Sequence, residues 1–553
     1  LEKIVECVPN FSEGRDKKIL ETLAKAISET EGVKLLSLEP GADTNRTVYT
    51  YAGTPEGVLE AAKRVVAEAV RLIDMTKHKG AHPRIGAVDV FPFIPVSGVT
   101  MEDCIALARE LAAWTARELG VPVYLYGRAA QRADRVRLPD IRKGEYEALP
   151  SKLKDPSFAP DFGPAQFLPK TGAMVTGARD FLLAYNVNLN TRSKEIADTI
   201  AGIVRESGRS ITDKEGKRVR IPGKLKACQA GGWYIEEYGY AQVTVNLSDY
   251  RTTGFHTLFE AVSKEAEKLG CRVTGSELIG LTPKEALLQA GNYYLSRQGV
   301  FEGKSEEEII QTAVRTLGLS ETHPFVAEER VIEYALEKGK YSFPVLTVRD
   351  FLNTLGADTP VPGGGTVAAN SLALAASLTC MVAGLTFGKK GYEKTKKMMQ
   401  IFGKRSQEIK EKALFLMDAD TRAYTSFIEA LRLPKDTEKE KKIREAAREK
   451  AALEIIEMPF ETLILAEKLL SDIEVLHGKG LQSALTDIAV GALEAEAAAR
   501  GAWYNVLTNL PLLKERKKAR DYLEKGQILY DLAESKAKRI KQRTLRSLKE
   551  NIS

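Results

Sequence analysis

The sequence predicts a multidomain protein, with an N-terminal α+β region followed by an all-α helical bundle. Three observations predict it. At 553 residues the chain exceeds the roughly 250–300 residues at which a single core stops growing, so about three or four folding units are expected. As far as Lys338, strand-like and helix-like runs alternate, the pattern of layered α and β structure. From Thr347 onward helical periodicity takes over, and Gly and Pro retreat to a few breaks. The boundaries expected from these shifts are 1–180, 181–338, a linker at 339–346, and 347–553.

The elements follow in order. Lys3–Val8 reads as a strand, Lys17–Glu29 as a helix, Thr47–Tyr51 as β-rich and Gly57–Ile73 as an amphipathic helix. Ile85–Ile94 is strand-like, Met101–Leu119 helical, and Val121–Tyr126 a buried strand. The Pro/Gly-rich stretch Ala159–Gly172 separates this unit from a second. There, Phe181–Leu189 and Tyr240–Leu247 read as strands, Ser193–Glu206 and Thr257–Leu269 as helices, Ile211–Lys224 as a basic hairpin or loop, and Arg272–Thr274 as a short strand. Helices are expected at Pro283–Ala290 and Ser305–Leu317. The two units share an order of elements but no sequence repeat. Beyond them, Val367–Leu385, Glu408–Leu431, Glu438–Ser471, Ala484–Leu507 and Lys514–Asn551 read as long helices, a bundle of about 200 residues.

Composition excludes several classes. Apolar residues at 44% and charged residues at 28% rule out a disordered or collagen-like chain. With 81 basic against 75 acidic residues, the net charge of +6 is too small to demand a nucleic-acid partner, though it suits anionic substrates. The basic residues near the C-terminus alternate with acidic ones at helical spacing, as on a solvated helix face. Five scattered cysteines without a CxxC pair argue against a disulfide framework or Cys-rich metal site, and for a reducing compartment. The opening LEKIVECVPNF has no secretory-signal pattern, so a cytoplasmic location is expected. The uncharged run Thr359–Gly388 is long enough to span a bilayer. Its Ala, Ser, Thr and Gly content fits the centre of a bundle or a subunit interface instead, and no membrane span is expected.

Several motifs carry chemistry. In KHKGAHPRIGAVDV, His78 and His82 lie four apart, but Gly80 and Pro83 break a continuous helix and no HExxH glutamate is present, so no metal is expected. His82, on a loop before a strand, suits a general acid/base; a loop histidine fixing a turn fits the same residues. Asn45–Arg46 offers a fork for a carboxylate, or is a surface pair. The Ala159–Gly172 loop borders a cleft or acts as a hinge. Asn186, Asn188 and Asn190 alternate along one strand face, as a ligand-binding row or a wet sheet edge. Pro362-Gly363-Gly364-Gly365-Thr366 opens the uncharged helix, either as an anion site or as a tight turn. In Met417-Asp418-Ala419-Asp420 the two carboxylates face different ways. Asp418 has Arg422 as its natural partner. Asp420 falls among Leu416, Met417, Ala423 and Phe427, where burial would raise its pKa and suit it to proton transfer, unless it is a structural carboxylate tied to a distant cation.

Taken together, VECVPNFSEG (Val5–Gly14), TNRTVYT (Thr44–Thr50), RLIDMTKHKGAHPRIGAVDVFPFIPV (Arg71–Val96), VPVYLYG (Val121–Gly127), GEYEALP (Gly144–Pro150), APDFGP (Ala159–Pro164), TGARDFLLAYNVNL (Thr176–Leu189), PGGGTVAA (Pro362–Ala369), MDADTRAY (Met417–Tyr424) and RLPK (Arg432–Lys435) resemble the formiminotransferase-cyclodeaminase family, in that family's order and over both halves of the chain. The resemblance implies two ferredoxin-like transferase subdomains (1–180 and 181–338) and a helical cyclodeaminase (347–553). It implies His82 as the transferase acid/base and Asp420 as the deaminase residue. The folate-binding loop would be Gly163, Pro164, Ala165, Gln166, Phe167, Leu168, Pro169, Lys170, Thr171 and Gly172. Asn45, Arg46, Arg84, Gly363, Gly364, Gly365 and Lys435 are the expected substrate contacts. Tetrahydrofolate is implied as cosubstrate, with polyglutamate tails that Arg218, Arg220 and Lys224 would attract, and N-formimino-L-glutamate as donor. A homo-oligomer, a ring-shaped octamer in the family, is implied as well. The linker is shorter than in animal members. Two other readings keep these folds: a helical domain acting mainly as a methenyltetrahydrofolate cyclohydrolase, and a catalytically silent folate-binding scaffold.

Overall fold

The computed structural model describes residues 3–80, 82–212, 217–337 and 343–550. The chain forms two compact units, residues 1–291 with 313–338, and residues 292–312 with 339–553.

In the first unit, β1 (Ile4–Cys7), β2 (Asn10–Phe11), α1 (Lys17–Ser28), β3 (Val33–Gly41), β4 (Arg46–Gly53), α2 (Pro55–Leu72) and β5 (Val88–Ser97) come in βαββαβ order. α1 starts where the Asp16 carboxylate accepts the Lys18 and Ile19 N–H groups, and α2 where Thr54 accepts from Gly57 with Pro55 at the first turn. α3 (Met101–Leu119), β6 (Val123–Gly127), α4 (Leu138–Arg142), α5 (Glu145–Lys152) and β7 (Met174–Ala178) follow. The sheet runs β3-β4-β1/β2-β5-β7-β6, with β1 and β2 together filling the slot between β4 and β5. Only the β5–β7 and β6–β7 pairs are parallel. Val5, Cys7, Tyr49, Tyr51, Phe91 and Phe93 turn to one face, in a core with Leu23, Val65 and Leu111 of the three long helices. The other face packs Val90, Tyr124 and Val175 beneath Ile141 of α4 and Leu149 of α5.

The same order returns in β8 (Leu183–Leu189), α6 (Lys194–Val204), β9 (Arg209–Thr212), β10 (Arg218–Ile221), β11 (Cys228–Ile235), β12 (Tyr240–Leu247), α7 (Phe255–Lys268) and β13 (Val273–Ile279). Its sheet, β11-β12-β8-β13, is antiparallel throughout. The β9–β10 hairpin is an insertion on this plan, and residues 213–216 of the expected basic hairpin lie outside the described residues. β2, β3, β7 and β11 escape the sequence reading, two of them for clear physical reasons. β3 is a half-exposed edge strand without clean alternation, and Gly231-Gly232 inside β11 reads as a break. α8 (Lys284–Gln298), α9 (Glu306–Leu317), α10 (Ala327–Arg330) and α11 (Ile332–Glu337) complete this half of the chain.

The second unit holds α12 (Val348–Leu355), α13 (Gly364–Gly388), α14 (Lys396–Arg432), α15 (Glu438–Lys479), α16 (Leu485–Asn509) and α17 (Arg516–Glu550). Of the expected linker, residues 339–342 lie outside the described residues, as does Asn551, the expected end of the last helix. Phe343 is buried against Ala369, Leu416 and Met417. Uncharged α13 is the central helix. Ala368, Leu372, Ala375, Ala376, Val382 and Ala383 pack on α14, α15 and α16, and the alanines let the helices approach closely. Among the described residues it is the one helix long and apolar enough to cross a membrane, and half of its most apolar stretch is buried within the protein. α14 begins well before the expected Glu408, because Met399 and Phe402 extend its buried face past Gly403.

Residues 292–312 pack with this bundle. Phe301 enters a slot between α13 and α14 where Gly384 and Gly403 lack side chains. Around it, Gln400 accepts the Glu302 N–H at 2.8 Å and donates to the Val300 carbonyl at 3.0 Å, Gln407 donates to the Gly303 carbonyl, and Lys404 pairs with Glu302. A Gly403→Ala substitution puts a methyl group into the Phe301 ring, so a loss of about 1–3 kcal/mol is expected. Thermal melts in a Phe301→Ala background check the cause, since there the Gly403→Ala penalty should shrink.

Candidate active sites

The first site forms where three loops meet. Asn45 sits in the left-handed region (φ 45°) just before β4, a conformation its short polar side chain tolerates. Its Oδ1 accepts the Gly14 N–H at 3.0 Å, and its carbonyl accepts from His78 Nε2 at 2.8 Å. The other nitrogen of His78, Nδ1, accepts from Arg84 Nε at 3.2 Å, so both ring nitrogens are committed. Arg84 spends the rest of its fork inside the protein, on Glu145 at 2.7 Å and on both Glu147 oxygens at 2.5 and 3.0 Å. That pairing holds the Glu147 carboxyl below its ordinary range. Expected as a substrate contact, Arg84 instead anchors His78 and the start of α5.

His82 lies on the same loop, and its Nε2 is 2.8 Å from Arg46 Nη1. A guanidinium only donates, so Nε2 accepts and the ring proton is on Nδ1. Burial and the positive charges of Arg46 and Arg142 push His82 down to about 4. The imidazole is therefore neutral above about pH 5. Beneath it, Asp89 on β5 is fully buried; it accepts from the Ile85 N–H at 3.2 Å and from two nitrogens of Arg142, which ends α4. Burial raises the Asp89 pKa against the pull of Arg142.

The 163–172 loop returns to this region. Gly163 and Gly172 have positive φ. Pro164, Ala165 and Gln166 are exposed, Phe167 stacks on Tyr146 at 5.5 Å, and Tyr146 Oη donates to the Pro169 carbonyl. Leu168 packs on the core, Lys170 Nζ donates to the Arg71 carbonyl, and the Thr171 carbonyl accepts from Ala87 at the entry to β5. Tyr146 thus links the loop to the Arg84–Glu147 cluster, its own N–H bonded to the Arg84 carbonyl. Two residues of the asparagine row bond within the protein, while Asn186 lines a cavity with Trp233 and Thr244. Asn188 donates to Glu321 and accepts from Gln242, and Asn190 accepts the Arg272 N–H. Arg218 and Arg220 are exposed on the β9–β10 hairpin, while Lys224 pairs with Glu265 at 2.5 Å.

In the helical unit, Asp420 projects from α14 onto the N-terminus of α13. Its carboxylate accepts from the Thr366 backbone N–H and, at 3.4 Å, from Thr366 Oγ1. It lies flush against Gly365, where a Cβ would collide with it. Burial raises its pKa, and the two Thr366 hydrogen bonds oppose the rise. Gly363 is the N-cap, Gly364 faces the Asn505 amide of α16, and Asp418 accepts from the Phe343 N–H at 2.8 Å. Arg422 lies over the Phe415 ring, 5.5 Å from its centroid. Lys435 is exposed in the loop after α14. Sequence reasoning missed Arg142, Glu145, Glu147 and Asn505 as site residues. The first three flank or fall in the GEYEALP motif, a signal not pursued residue by residue; Asn505 comes from a distant helix and carries no local signal.

Three family profiles match in succession: a formiminotransferase domain N-terminal subdomain at residues 4–179, a formiminotransferase domain at 184–337, and formiminotransferase-cyclodeaminase at 347–527. A formimidoyltransferase-cyclodeaminase of Gallus gallus is 43% identical over 517 residues, 93% of this chain and 94% of that protein. The chain belongs to the formiminotransferase-cyclodeaminase family. Two relatives match one half each. A glutamate formimidoyltransferase of Streptococcus pyogenes serotype M1 is 40% identical over 293 residues, 53% of this chain and 93% of that one. A methenyltetrahydrofolate cyclohydrolase of Methylorubrum extorquens is 30% identical over 178 residues, 32% of this chain and 86% of that one. In this member, the candidate transferase and cyclodeaminase residues, His82 and Asp420, both have pKa values shifted first of all by burial.

The raised Asp420 pKa has a thermodynamic sign. An acid harder to ionise folded than unfolded gives stability that is full below the unfolded pKa and lost as pH rises through the folded one. Asp420→Asn should therefore raise the melting temperature at pH 7, on the order of 2 °C. The gain should vanish toward pH 4, as calorimetry across that range will report.

Proposed function

We propose that this chain transfers the formimino group of N-formimino-L-glutamate to tetrahydrofolate and then cyclises the product to 5,10-methenyltetrahydrofolate with release of ammonia. The observation that carries the reading is the presence, in one chain, of a neutral histidine among guanidinium groups in the transferase half and a buried carboxyl at a helix N-terminus in the deaminase half.

In the transfer, N5 of tetrahydrofolate attacks the amidine carbon of the donor. His82 takes the N5 proton and returns it to the glutamate nitrogen as the C–N bond breaks. Arg46 and Arg142 suit the donor's carboxylates, and the anchored 163–172 loop, with Pro164–Gln166 exposed, suits the folate. The exposed Arg218 and Arg220 suit an anionic polyglutamate tail. In the cyclisation, N10 attacks the formimino carbon. The imine N–H, the N10 proton and one proton supplied by Asp420 together make the departing ammonia. Burial favours the protonated form of the Asp420 carboxyl, and no step needs a metal. A cytoplasmic setting is supported by five cysteines that are all buried free thiols.

The likeness to a methenyltetrahydrofolate cyclohydrolase favours a second reading, in which the helical half mainly hydrolyses methenyltetrahydrofolate. Purified protein given N-formimino-L-glutamate and tetrahydrofolate separates the two. Ammonia and methenyl absorbance should appear together. His82→Ala should slow transfer by roughly 10²–10⁴-fold. Asp420→Ala should release glutamate normally and accumulate 5-formiminotetrahydrofolate. Glutamate release by the wild type without ammonia selects the cyclohydrolase.

A homo-oligomer, an octamer in the family pattern, is part of the proposal. Leu374, Met381 and Leu385 of α13 and Val490 and Leu493 of α16 are large apolar side chains left exposed on helices that pack together. Leu374→Glu with Met381→Glu should lower the mass measured by sedimentation while leaving helical content unchanged.

A further inference from the structure

We propose that Arg46 is a latch on His82: it occupies the basic nitrogen of the imidazole in the free enzyme, and releases it when a carboxylate of the formimino donor takes the guanidinium. The inference rests on the transferase reading above and adds a residue that acts through the histidine.

Three observations carry it. First, with Arg46 Nη1 donating to Nε2 and the ring proton on Nδ1, His82 has no free lone pair. As it stands the ring cannot take a proton from N5. The latch has to open before chemistry. Second, Arg46 is held by little else. Its Nε is buried with no hydrogen-bond partner, and the nearby buried carboxylate, Asp89, is already bonded to Arg142. A neutral imidazole nitrogen is a poorer partner for a guanidinium than a carboxylate, whose paired oxygens match the fork. An arriving carboxylate therefore wins Arg46. Third, the charges around the ring draw such a group in. Arg46 comes from β4, Arg142 from α4, Glu145 from α5 and Asp89 from β5, with Glu39 of β3 facing Arg46. The glutamates lie outward, with Glu145 committed to Arg84. The inner cluster of two guanidiniums and one carboxylate is left net positive.

Release has two effects of the same sign. Nε2 regains its lone pair, and the positive charge beside it is neutralised by the donor. Both make His82 more basic in the complex than in the free enzyme. His82 Nδ1 is buried without a hydrogen-bonded side-chain partner, and the Pro83 carbonyl and the Glu145 carboxylate already favour the protonated ring. The base is thus armed by the substrate whose amidine carbon it serves, and the donor binds productively before folate reacts.

The test uses the full-length enzyme and reads pH profiles. The acid limb of kcat/KM for N-formimino-L-glutamate reports the free enzyme, and that of kcat the complex. In the wild type the first should lie near pH 4, where His82 titrates in the free enzyme, and the second one to two units higher. In Arg46→Gln the two limbs should converge above pH 4 but below the ordinary histidine value, because burial and Arg142 remain, with the donor KM raised at least ~10-fold. Arg46→Lys should recover part of KM. Coincident limbs in the wild type overturn the latch. So does an Arg46→Gln enzyme with a raised KM and an unmoved kcat/KM limb, which would make Arg46 a binding residue only. A second readout needs no turnover: modification of the His82 peptide by diethylpyrocarbonate at pH 7, followed by mass spectrometry. The label needs the free ring nitrogen, so Arg46→Gln should react at least ~10-fold faster than the wild type, and equal rates overturn the latch. If that acceleration appears but the wild type transfers no formimino group to tetrahydrofolate, the latch stands and the transferase reading falls.

Discussion

Asp89 sets the constraint on which the transferase half depends. A carboxylate with no exposed surface, in the middle of a sheet, is tenable only if a cation and hydrogen bonds meet it there. Arg142 does so, and in doing so pins α4 to the sheet. Glu145 and Glu147 follow within one turn and catch Arg84, Arg84 holds His78, and His78 holds the carbonyl of Asn45. The chain of contacts ends one residue away, at Arg46 and its bond to His82. One buried charge pair thus fixes, through side chains from two helices, two loops and two strands, the orientation of a histidine that does not touch it.

The helical half solves a different problem. There the carboxyl is itself the group of interest, and among the described residues no cation pairs with it; burial and the amide end of α13 act on Asp420 in opposite directions. The balance needs a near approach between α13 and α14 that a side chain at 365 would prevent. The small residues that set α13 apart from a membrane segment also let neighbouring helices come close to it. A run without charge that is long enough for a bilayer serves here as close packing.

Much of this was legible in the sequence, for identifiable reasons. The long helices, the change of character at Thr347 and the paired α/β order follow from periodicity. The apolar side of α14 on which Asp420 lies follows from helical spacing alone, with Leu416, Met417 and Ala423 buried, whereas the contacts of its carboxylate, Gly365 and Thr366, come from α13. His82 was legible as a candidate from its loop position, but its partner was not, because Arg46 lies 36 residues away and the two meet only when β4 and the loop before β5 are brought together. Arg84, expected among the substrate contacts, carries no local signal of its own partners, because only the fold supplies the two glutamates that pair with it. The half-exposed β3 and the glycine pair in β11 hid two strands whose pairing is decided by the sheet.

The Phe301 slot bears on how such a two-activity chain can be taken apart. The family profile of the second transferase region runs from 184 to 337 and includes residues 292–312, yet those residues pack with the deaminase bundle. A cut near residue 338 that respects the profiles would therefore carry away Phe301 and open a glycine-walled gap between α13 and α14. Heredity and packing draw the border in different places. A gene for either activity alone has to remodel the stretch around Phe301 before its product can stand by itself.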